Sequence, residues 1–288
     1  MRIGVRLLSF LMTVLLLSGA AAQGSTPAYT FTNRSIPTTY ETETIKYQIE
    51  IGLVNGTKCY LTKVWLAEPG RQIRKAISPW HEELAWPQRM AAKIDGVVLA
   101  VNGSGYVSHI YPDIPENYPG SSKDYYYTPL GSLTVVDGEV YRNLEGVPFY
   151  GLTLEADGLH MYSGSDNEQV LANNPLQTWS FYTGCPMARD GISLIDEEWA
   201  FATRRAARTI VCKLKEENTY LLMTATSNHG LTLVEANTFL MAEYDTEWIY
   251  DLDGGPSSAL MRKRKDADAL KVIYEPGQRC VDVLAFTE

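Results

Sequence analysis

The sequence has few of the residues that usually build metal centres. It contains four histidines and four cysteines among 288 residues, and no two cysteines stand at the spacing of a zinc site. The histidines do not cluster either. The sequence therefore predicts no metal centre and no cofactor.

Apolar runs long enough to span a bilayer are also lacking. The longest run, Leu7–Leu17, has eleven residues, whereas a spanning helix needs about 20. Arg2 and Arg6 precede it, and small residues follow it up to Ala22. This order is typical of a cleavable signal peptide at residues 1–22. We expect a secreted or cell-envelope protein with no transmembrane span after cleavage; an uncleaved anchor is the alternative.

Basic residues are outnumbered by acidic ones. The chain has 25 lysines and arginines against 34 aspartates and glutamates, which gives a formal net charge of −9. Such a surface repels nucleic acid and anionic membranes over a Debye length of about 8–10 Å. The sequence therefore predicts no nucleic-acid partner, and an anionic substrate would have to meet local cations that act against the overall field.

The four cysteines are Cys59, Cys185, Cys212 and Cys280. An even number in an exported chain permits two disulfides with three possible connectivities. Four buried thiols are an equally good interpretation. If bridges form, a Cys59–Cys280 bridge between the two ends of the domain is the first pairing to test.

The chain divides into three parts. After the signal peptide, residues 23–45 are polar and indicate a linker or a loosely held arm. Residues 46–288 alternate strand-like runs with tight turns such as Asn55-Gly56 and Asp137-Gly138, and few helices interrupt them. This pattern predicts one α+β domain in which mixed or mainly antiparallel sheets are flanked by a few helices.

A long loop rich in tyrosine and proline is predicted at residues 106–128. Loops of this length inside a compact domain are usually functional or disordered. The aromatic composition favours function.

One clear helix is predicted from Thr232 to Met241. Thr232 and Glu235 have the spacing of a capping box at its start. Glu235 is therefore interpreted either as a helix cap or as a functional carboxylate.

The sharpest candidate for a site is the segment Asp251–Ser258, which reads Asp-Leu-Asp-Gly-Gly-Pro-Ser-Ser. A strand ends here, two glycines allow a tight turn close to a ligand, and two hydroxyls follow within reach of Asp253. An ordinary strand-turn-strand is the alternative.

Two further strand segments carry polar groups. Asn102-Gly103 ends a buried strand, and Arg208-Thr209 lies in the apolar run Ala206–Cys212. A lone buried charge is costly, so Arg208 needs a partner. That partner is either an anionic ligand, which a guanidinium can bind in a bidentate manner, or a structural ion pair with Asp251 or Asp253.

Taken together, these segments resemble the phosphodiester glycosidase family over roughly residues 45–288. The family hallmark Asn-Leu-Asp-Gly-Gly-Gly-Ser-Ser appears as Asp251–Ser258, with weaker landmarks in the same order along the chain. Those landmarks are Val64–Pro69, Ala100–Gly103, Asp137-Gly138, Phe181–Pro186, Arg208-Thr209 and Gly230–Glu235.

The resemblance implies a glycosidase that releases a sugar, typically of the N-acetylglucosamine type, from a glycosyl-1-phosphodiester of a glycan. Asp253 first and Glu235 second would be the catalytic carboxylates, and Arg208 would neutralise the departing phosphate. The tyrosine-rich loop could stack on the sugar. The implied substrate-binding residues are Asn102, Gly103, Thr209, Thr226, Asp251, Gly254, Gly255, Ser257 and Ser258.

Three positions depart from the family pattern. Asp251 replaces Asn, Pro256 replaces Gly, and Ser104 stands where members often have Asp. Two other functions therefore compete with the glycosidase. One is an inactive glycan-binding or envelope-scaffold protein on the same fold. The other is a phosphodiesterase acting on teichoic-acid-like polymers, with a metal ion held by Asp251 and Asp253.

Overall fold

The computed structural model describes residues 29–79, 83–106, 129–264 and 269–288. The predicted signal peptide at residues 1–22 lies outside the described residues, and so does the predicted tyrosine-rich loop except for its first residue, Tyr106.

The strands of the described residues, numbered along the chain, form three sheets. The large sheet has nine strands in the order β1-β3-β4-β15-β14-β16-β12-β13, with β2 also paired to β3. Its strands are β1 (Phe31–Thr32), β2 (Thr38–Glu41), β3 (Ile45–Val54), β4 (Thr57–Leu66), β12 (Pro186–Arg189), β13 (Ile192–Ser193), β14 (Arg208–Leu214), β15 (Thr219–Ala225) and β16 (Thr246–Asp251).

Two smaller sheets have five strands each. The second sheet has the order β10-β9-β11-β7-β8, and the third has the order β18-β17-β6-β19-β5. The second contains β7 (Leu133–Val136), β8 (Glu139–Asn143), β9 (Phe149–Glu155), β10 (Gly158–Ser165) and β11 (Gln177–Ser180). The third contains β5 (Ile73–Ile77), β6 (Val97–Asn102), β17 (Leu260–Lys263), β18 (Leu270–Tyr274) and β19 (Asp282–Thr287).

Five helices accompany the sheets in the described residues. They are α1 (Pro69–Gln72), α2 (Pro87–Ala91), α3 (Asn167–Leu171), α4 (Ala200–Thr203) and α5 (Leu233–Glu243). The strand pairs within the sheets are antiparallel. The predicted single α+β domain with mainly antiparallel sheets is therefore confirmed. Within the described ranges, no helix combines the length and apolar character needed to cross a bilayer.

Local sequence signals explain where several elements turn or begin. Asn55 and Gly56 both have positive φ, 46° and 76°, which is the backbone of the tight hairpin turn predicted between β3 and β4. Thr232 caps α5, and its side chain and that of Glu235 form both hydrogen bonds of a capping box. The segment 23–45 contains β1 and β2, and both strands pair with β3.

Alternation along β14 divides the interior into two cores. Ile210 and Cys212 face α5, where they pack with Phe239. Val211 faces the opposite way, into the core shared by all three sheets. Successive side chains of a strand point to opposite faces, so β14 is buried on both sides, and its centre, residues 210–212, is continuously apolar.

The four cysteines are buried free thiols. The interpretation as buried thiols therefore describes this structure, and the Cys59–Cys280 bridge is not formed. Burial raises the pKa of Cys59 to about 12, so its thiol stays protonated at neutral pH.

A buried ion pair within the third sheet anchors the loop that follows β6. Lys75 on β5 and Asp282 on β19 lie 2.8 Å apart, and both side chains are fully buried. Asp282 also accepts hydrogen bonds from the backbone N–H and the hydroxyl of Ser104, at 2.6 and 2.8 Å. Lys75 in turn donates to the carbonyl of Thr178 on β11. This network fixes the Gly103-Ser104 loop against two sheets.

Replacing Lys75 with methionine should destabilise the fold strongly. The change leaves the Asp282 carboxylate buried without a counterion, which costs about 3–5 kcal/mol of unfolding free energy. Urea denaturation measures it. The matched control is Lys63→Met, because the Lys63–Glu216 pair is about half exposed and contributes less than about 1 kcal/mol. Equal effects of the two substitutions would contradict this account.

Candidate functional site

A cavity of about 400 Å³ opens beside the loop that follows β16. Its floor is the segment Asp253–Pro256, and one side carries Arg204 and Arg208. Aromatic side chains form much of the remaining wall. The predicted catalytic carboxylate and the predicted buried arginine therefore face one shared cavity.

Glycines at 254 and 255 let the loop fold tightly under this cavity. A Cβ at Gly254 would lie 2.8 Å from the carbonyl oxygen of Ala207, so only glycine fits there without a shift. Gly255 has φ of +57° and begins a 3-10 turn that runs to Ser257. The positive φ falls at Gly255, so the proline at 256 fits this turn.

The side chain of Asn102 holds the backbone of this loop. Its amide nitrogen donates to the carbonyl of Asp253 at 2.6 Å. Its amide oxygen accepts from the Thr209 hydroxyl at 2.8 Å and from the Ala259 N–H at 3.0 Å. The carbonyl of Gly103 accepts the Asp253 N–H at 3.0 Å. Asn102, Gly103 and Thr209 therefore position Asp253, and none of the three lines the cavity.

The carboxyl group of Asp253 is almost buried, with 8% of the residue exposed. Burial raises its pKa to about 7, and the hydrogen bond from Ser257 partly opposes this effect. The neighbouring Asp251 carboxyl raises the pKa further by like-charge repulsion. A carboxyl that titrates near neutral pH in a cavity is suited to acid–base or nucleophilic chemistry.

The guanidinium of Arg208 is fully buried and held from several sides. Its Nε donates to the carbonyl of Leu231 at 3.1 Å, and its Nη2 donates to the carbonyls of Phe201 and Arg204 at 3.1 and 2.7 Å. Its Nη1 lies 3.5 Å from the carboxylate of Asp251. Of the two partners considered for Arg208, the structure shows the ion pair with Asp251.

Asp251 faces Arg208 rather than the cavity. Burial raises its pKa to about 7, and the nearby Arg208 charge acts in the opposite direction. Its two carboxylate oxygens accept no hydrogen bond from the described residues, so the contact with Arg208 is purely ionic.

Four aromatic residues form the wall opposite the loop. Phe181, Tyr182, Trp199 and Phe201 contact one another, with ring centroids 4.3 to 6.1 Å apart. Sequence reasoning included Phe181 and Tyr182 only as a family landmark and missed Trp199 and Phe201. Trp199 directly precedes the short helix α4 and Phe201 lies within it, and no periodicity marks that segment.

Glu235 lies away from the cavity. Besides capping α5, its carboxylate forms an ion pair with Arg205 and accepts a hydrogen bond from the Asn55 amide at 2.6 Å. The structure therefore favours the helix-cap interpretation of Glu235 and does not bring it together with Asp253.

The remaining predicted residues are buried around the loop. Ser257 forms a hydrogen bond with the Asp253 carboxyl. Its hydroxyl oxygen also accepts a hydrogen bond from the side-chain amide of Gln278 at 2.6 Å. Ser258 is fully buried, and Thr226 is 7% exposed at the end of β15. None of these three hydroxyl residues lines the cavity, whereas Gln278, which sequence reasoning missed, does.

One group of potential metal ligands occurs in the described residues. Glu155, Asp157 and His160 on the β9–β10 hairpin place one ligand atom each within 4.8 Å of the others. His160 already pairs with Asp157 at 2.7 Å, and the hairpin does not line the cavity.

Comparison with known proteins gives a consistent assignment. The model of the phosphodiester glycosidase family matches residues 95–284. The zebrafish N-acetylglucosamine-1-phosphodiester alpha-N-acetylglucosaminidase catalytic domain, auto-inhibited by its pro-peptide, has a similar fold, with a TM-score of 0.64, 16% identity, and coverage of 88% of this chain and 87% of that chain. A hypothetical protein from Synechocystis has a TM-score of 0.55 and 12% identity, with 88% of this chain and 64% of that chain covered. No curated protein matches in sequence.

The raised pKa values of Asp251 and Asp253 predict a stability that falls as the pH rises. Between about pH 4 and pH 7 the folded protein keeps protons that the unfolded chain has released. The free energy of unfolding therefore falls across this range, by on the order of 1.4 kcal/mol for each unit by which a pKa is raised. Urea denaturation from pH 4.5 to 7.5 measures the slope.

Asp253→Asn removes one of these two groups and should flatten the profile, because asparagine does not titrate. Carboxylates with lowered pKa, such as Glu41 and Asp157, contribute the opposite slope in both proteins and cancel in the comparison. If the unfolding free energies of the wild type and Asp253→Asn change in parallel with pH, the pKa of Asp253 is not raised.

Proposed function

The chain belongs to the phosphodiester glycosidase family, and we propose that it is an exported hydrolase that releases a sugar from a glycosyl-1-phosphodiester. The observation that carries this proposal is the joint position of Asp253, Arg204 and Arg208 around one cavity. The cavity size of about 400 Å³ suits a sugar with its phosphate. The activity for which the zebrafish protein is named supports N-acetylglucosamine as the sugar.

The chemistry of the substrate fits a site with a single acidic group. Among the described residues that line the cavity, Asp253 is the one carboxylate. An ordinary glycoside needs a second carboxyl to protonate its leaving oxygen. A phosphate leaves as a stable anion and needs little such help, so one carboxylate and local positive charge are sufficient.

The reaction that we propose breaks the bond between the anomeric carbon and the phosphate oxygen. The electron pair of that bond leaves with the phosphate monoester. Water supplies the new hydroxyl group of the sugar, and its remaining proton passes to the phosphate monoester or to solvent. Asp253 acts in its ionised form, whether it stabilises the positive anomeric centre, attacks it or activates the water. The positively charged wall of the cavity stabilises the departing phosphate.

The aromatic wall supports a carbohydrate ligand. Tyr182, Trp199 and Phe201 are partly exposed and line the cavity, and the faces of Tyr182 and Trp199 suit the apolar C–H face of a sugar ring. Export stays part of the proposal, supported by the predicted signal peptide at residues 1–22. A cell-wall, capsular or glycoprotein glycan is the corresponding partner.

One observation favours an inactive glycan-binding or scaffold protein as the second candidate. Asp251 stands where the family hallmark has asparagine, and its carboxylate lies against Arg208, so part of the positive charge in the site is already neutralised. The arrangement offers less to a metal-dependent phosphodiesterase, since Asp251 does not line the cavity with Asp253.

Incubation with a panel of sugar-1-phosphodiesters tests the proposal. We expect free sugar as the product, and we expect Asp253→Asn to lower kcat/KM by about 10²- to 10⁴-fold without unfolding the protein. Asp245→Asn, which changes an exposed carboxylate paired with Lys215, is the matched control. Sugar-1-phosphate as product would indicate phosphodiester cleavage instead. Binding without product, unchanged in Asp253→Asn, would indicate the inactive binding protein.

The pKa of Asp253 sets the pH dependence of this activity. Because the ionised carboxylate is the active form and its pKa is about 7, kcat/KM should rise with pH through neutrality. Asp251→Asn removes the neighbouring negative charge that raises this pKa, so the rising limb should move to lower pH. If kcat/KM of Asp251→Asn rises over the same pH range as that of the wild type, a group other than Asp253 controls the pH dependence.

A further inference from the structure

Two adjacent arginines follow α4, and their side chains lie in different surroundings. Arg205 forms an ion pair with Glu235, and its Nη1 donates to the carbonyl of Gly230 at 2.9 Å. Arg204 is exposed and lines the cavity. Its guanidinium carbon lies 5.3 Å from the centre of the Phe201 ring, and it forms no ion pair with an acid of the described residues.

Arg208 is poorly placed to bind a ligand directly, although it also borders the cavity. Its side chain is fully buried, and its Nε and Nη2 donate to three backbone carbonyls. Its Nη1 forms no hydrogen bond with the described residues but lies 3.5 Å from the Asp251 carboxylate. Turning towards a phosphate would break these contacts. One of the three carbonyls belongs to Arg204 itself, so Arg208 fixes the backbone from which the Arg204 side chain projects.

The electrostatics of the chain give Arg204 a particular importance. The protein carries a formal net charge of −9, and Asp253 adds negative charge inside the cavity when it ionises. An anionic ligand therefore needs a nearby cation whose charge is not already neutralised. Among the described residues that line the cavity, Arg204 meets this requirement, and the face of Phe201 supports its guanidinium by a cation–π contact.

We propose that Arg204 and Phe201 form the phosphate subsite of the cavity, in which Arg204 contacts the phosphate oxygens of the substrate. Arg208 is then a positioning residue that holds Arg204 and Asp251 in place. This assignment rests on the proposed function and names the residues that give the site its specificity for the substrate. The subsite selects substrates whose leaving group carries a negative charge, and it contributes nothing to a neutral sugar.

The test compares Arg204→Gln with Arg205→Gln. Both changes remove one positive charge at neighbouring positions, so they alter the long-range field equally, but only Arg204 faces the cavity. The substrate is the methyl ester of N-acetylglucosamine 1-phosphate, which is a diester. We expect Arg204→Gln to lower kcat/KM for this diester by about 10- to 100-fold, the usual effect of losing a hydrogen bond to a charged group. Arg205→Gln should stay within about twofold of the wild type.

A neutral ligand separates charge recognition from general damage to the site. Inhibition by free N-acetylglucosamine should be the same in Arg204→Gln and the wild type, because the free sugar has no phosphate. Equal losses in the two arginine variants would overturn the assignment, since they would indicate a field effect. Weaker inhibition by the free sugar in Arg204→Gln would overturn it as well.

Calorimetric binding of the same diester distinguishes failure of the subsite from failure of the proposed activity. If the wild type binds the diester without hydrolysing it and Arg204→Gln does not bind, the subsite stands and the glycosidase activity fails. If both proteins hydrolyse it equally well, the activity stands and the subsite fails. If the wild type neither binds nor hydrolyses the diester, both fail.

Discussion

One buried amide fixes the geometry on which the cavity depends. Asn102 ends β6, and its side chain bonds to β14 through Thr209, to the residue before β17 through Ala259, and to the loop after β16 through Asp253. A single side chain thus ties the ends of strands from two sheets together. Because an amide both donates and accepts, no hydrophobic residue of similar size could make these connections. The direction in which the Asp253 carboxyl faces follows from this arrangement.

The charges gathered around that amide oppose the stability of the fold. Asp251, Asp253 and Arg208 all lose solvent on folding, and burial shifts each of their pKa values towards the neutral form. A well-packed apolar cluster would be more stable than such a group. Ionisable groups with shifted pKa values at a cavity are a common mark of functional sites. The arrangement is therefore better explained by chemistry at the cavity than by structural need.

The sequence predicted most of the fold but only part of the candidate site. Turn dipeptides and alternating strands gave the antiparallel class, and the Thr232–Glu235 spacing gave the start of α5, because these signals act over a few residues. The motif at 251–258 pointed to Asp253, whose carboxyl lines the cavity. Arg204 and Trp199 were not found, because their position depends on how α4 packs beside a loop that is about 50 residues away in sequence. For the same reason, the sequence alone left open whether Arg208 pairs with Asp251.

The proline at position 256 has a mechanical consequence. Gly255 supplies the one unusual backbone angle of the turn, and the carbonyl of Pro256 accepts hydrogen bonds from Gly277 and Gln278. A pyrrolidine ring also limits the shapes that this stretch can adopt before folding. The floor of the cavity is therefore preorganised, and a ligand that enters should need to reshape it very little. Adaptation to different ligands would then fall to the side chains of the opposite wall.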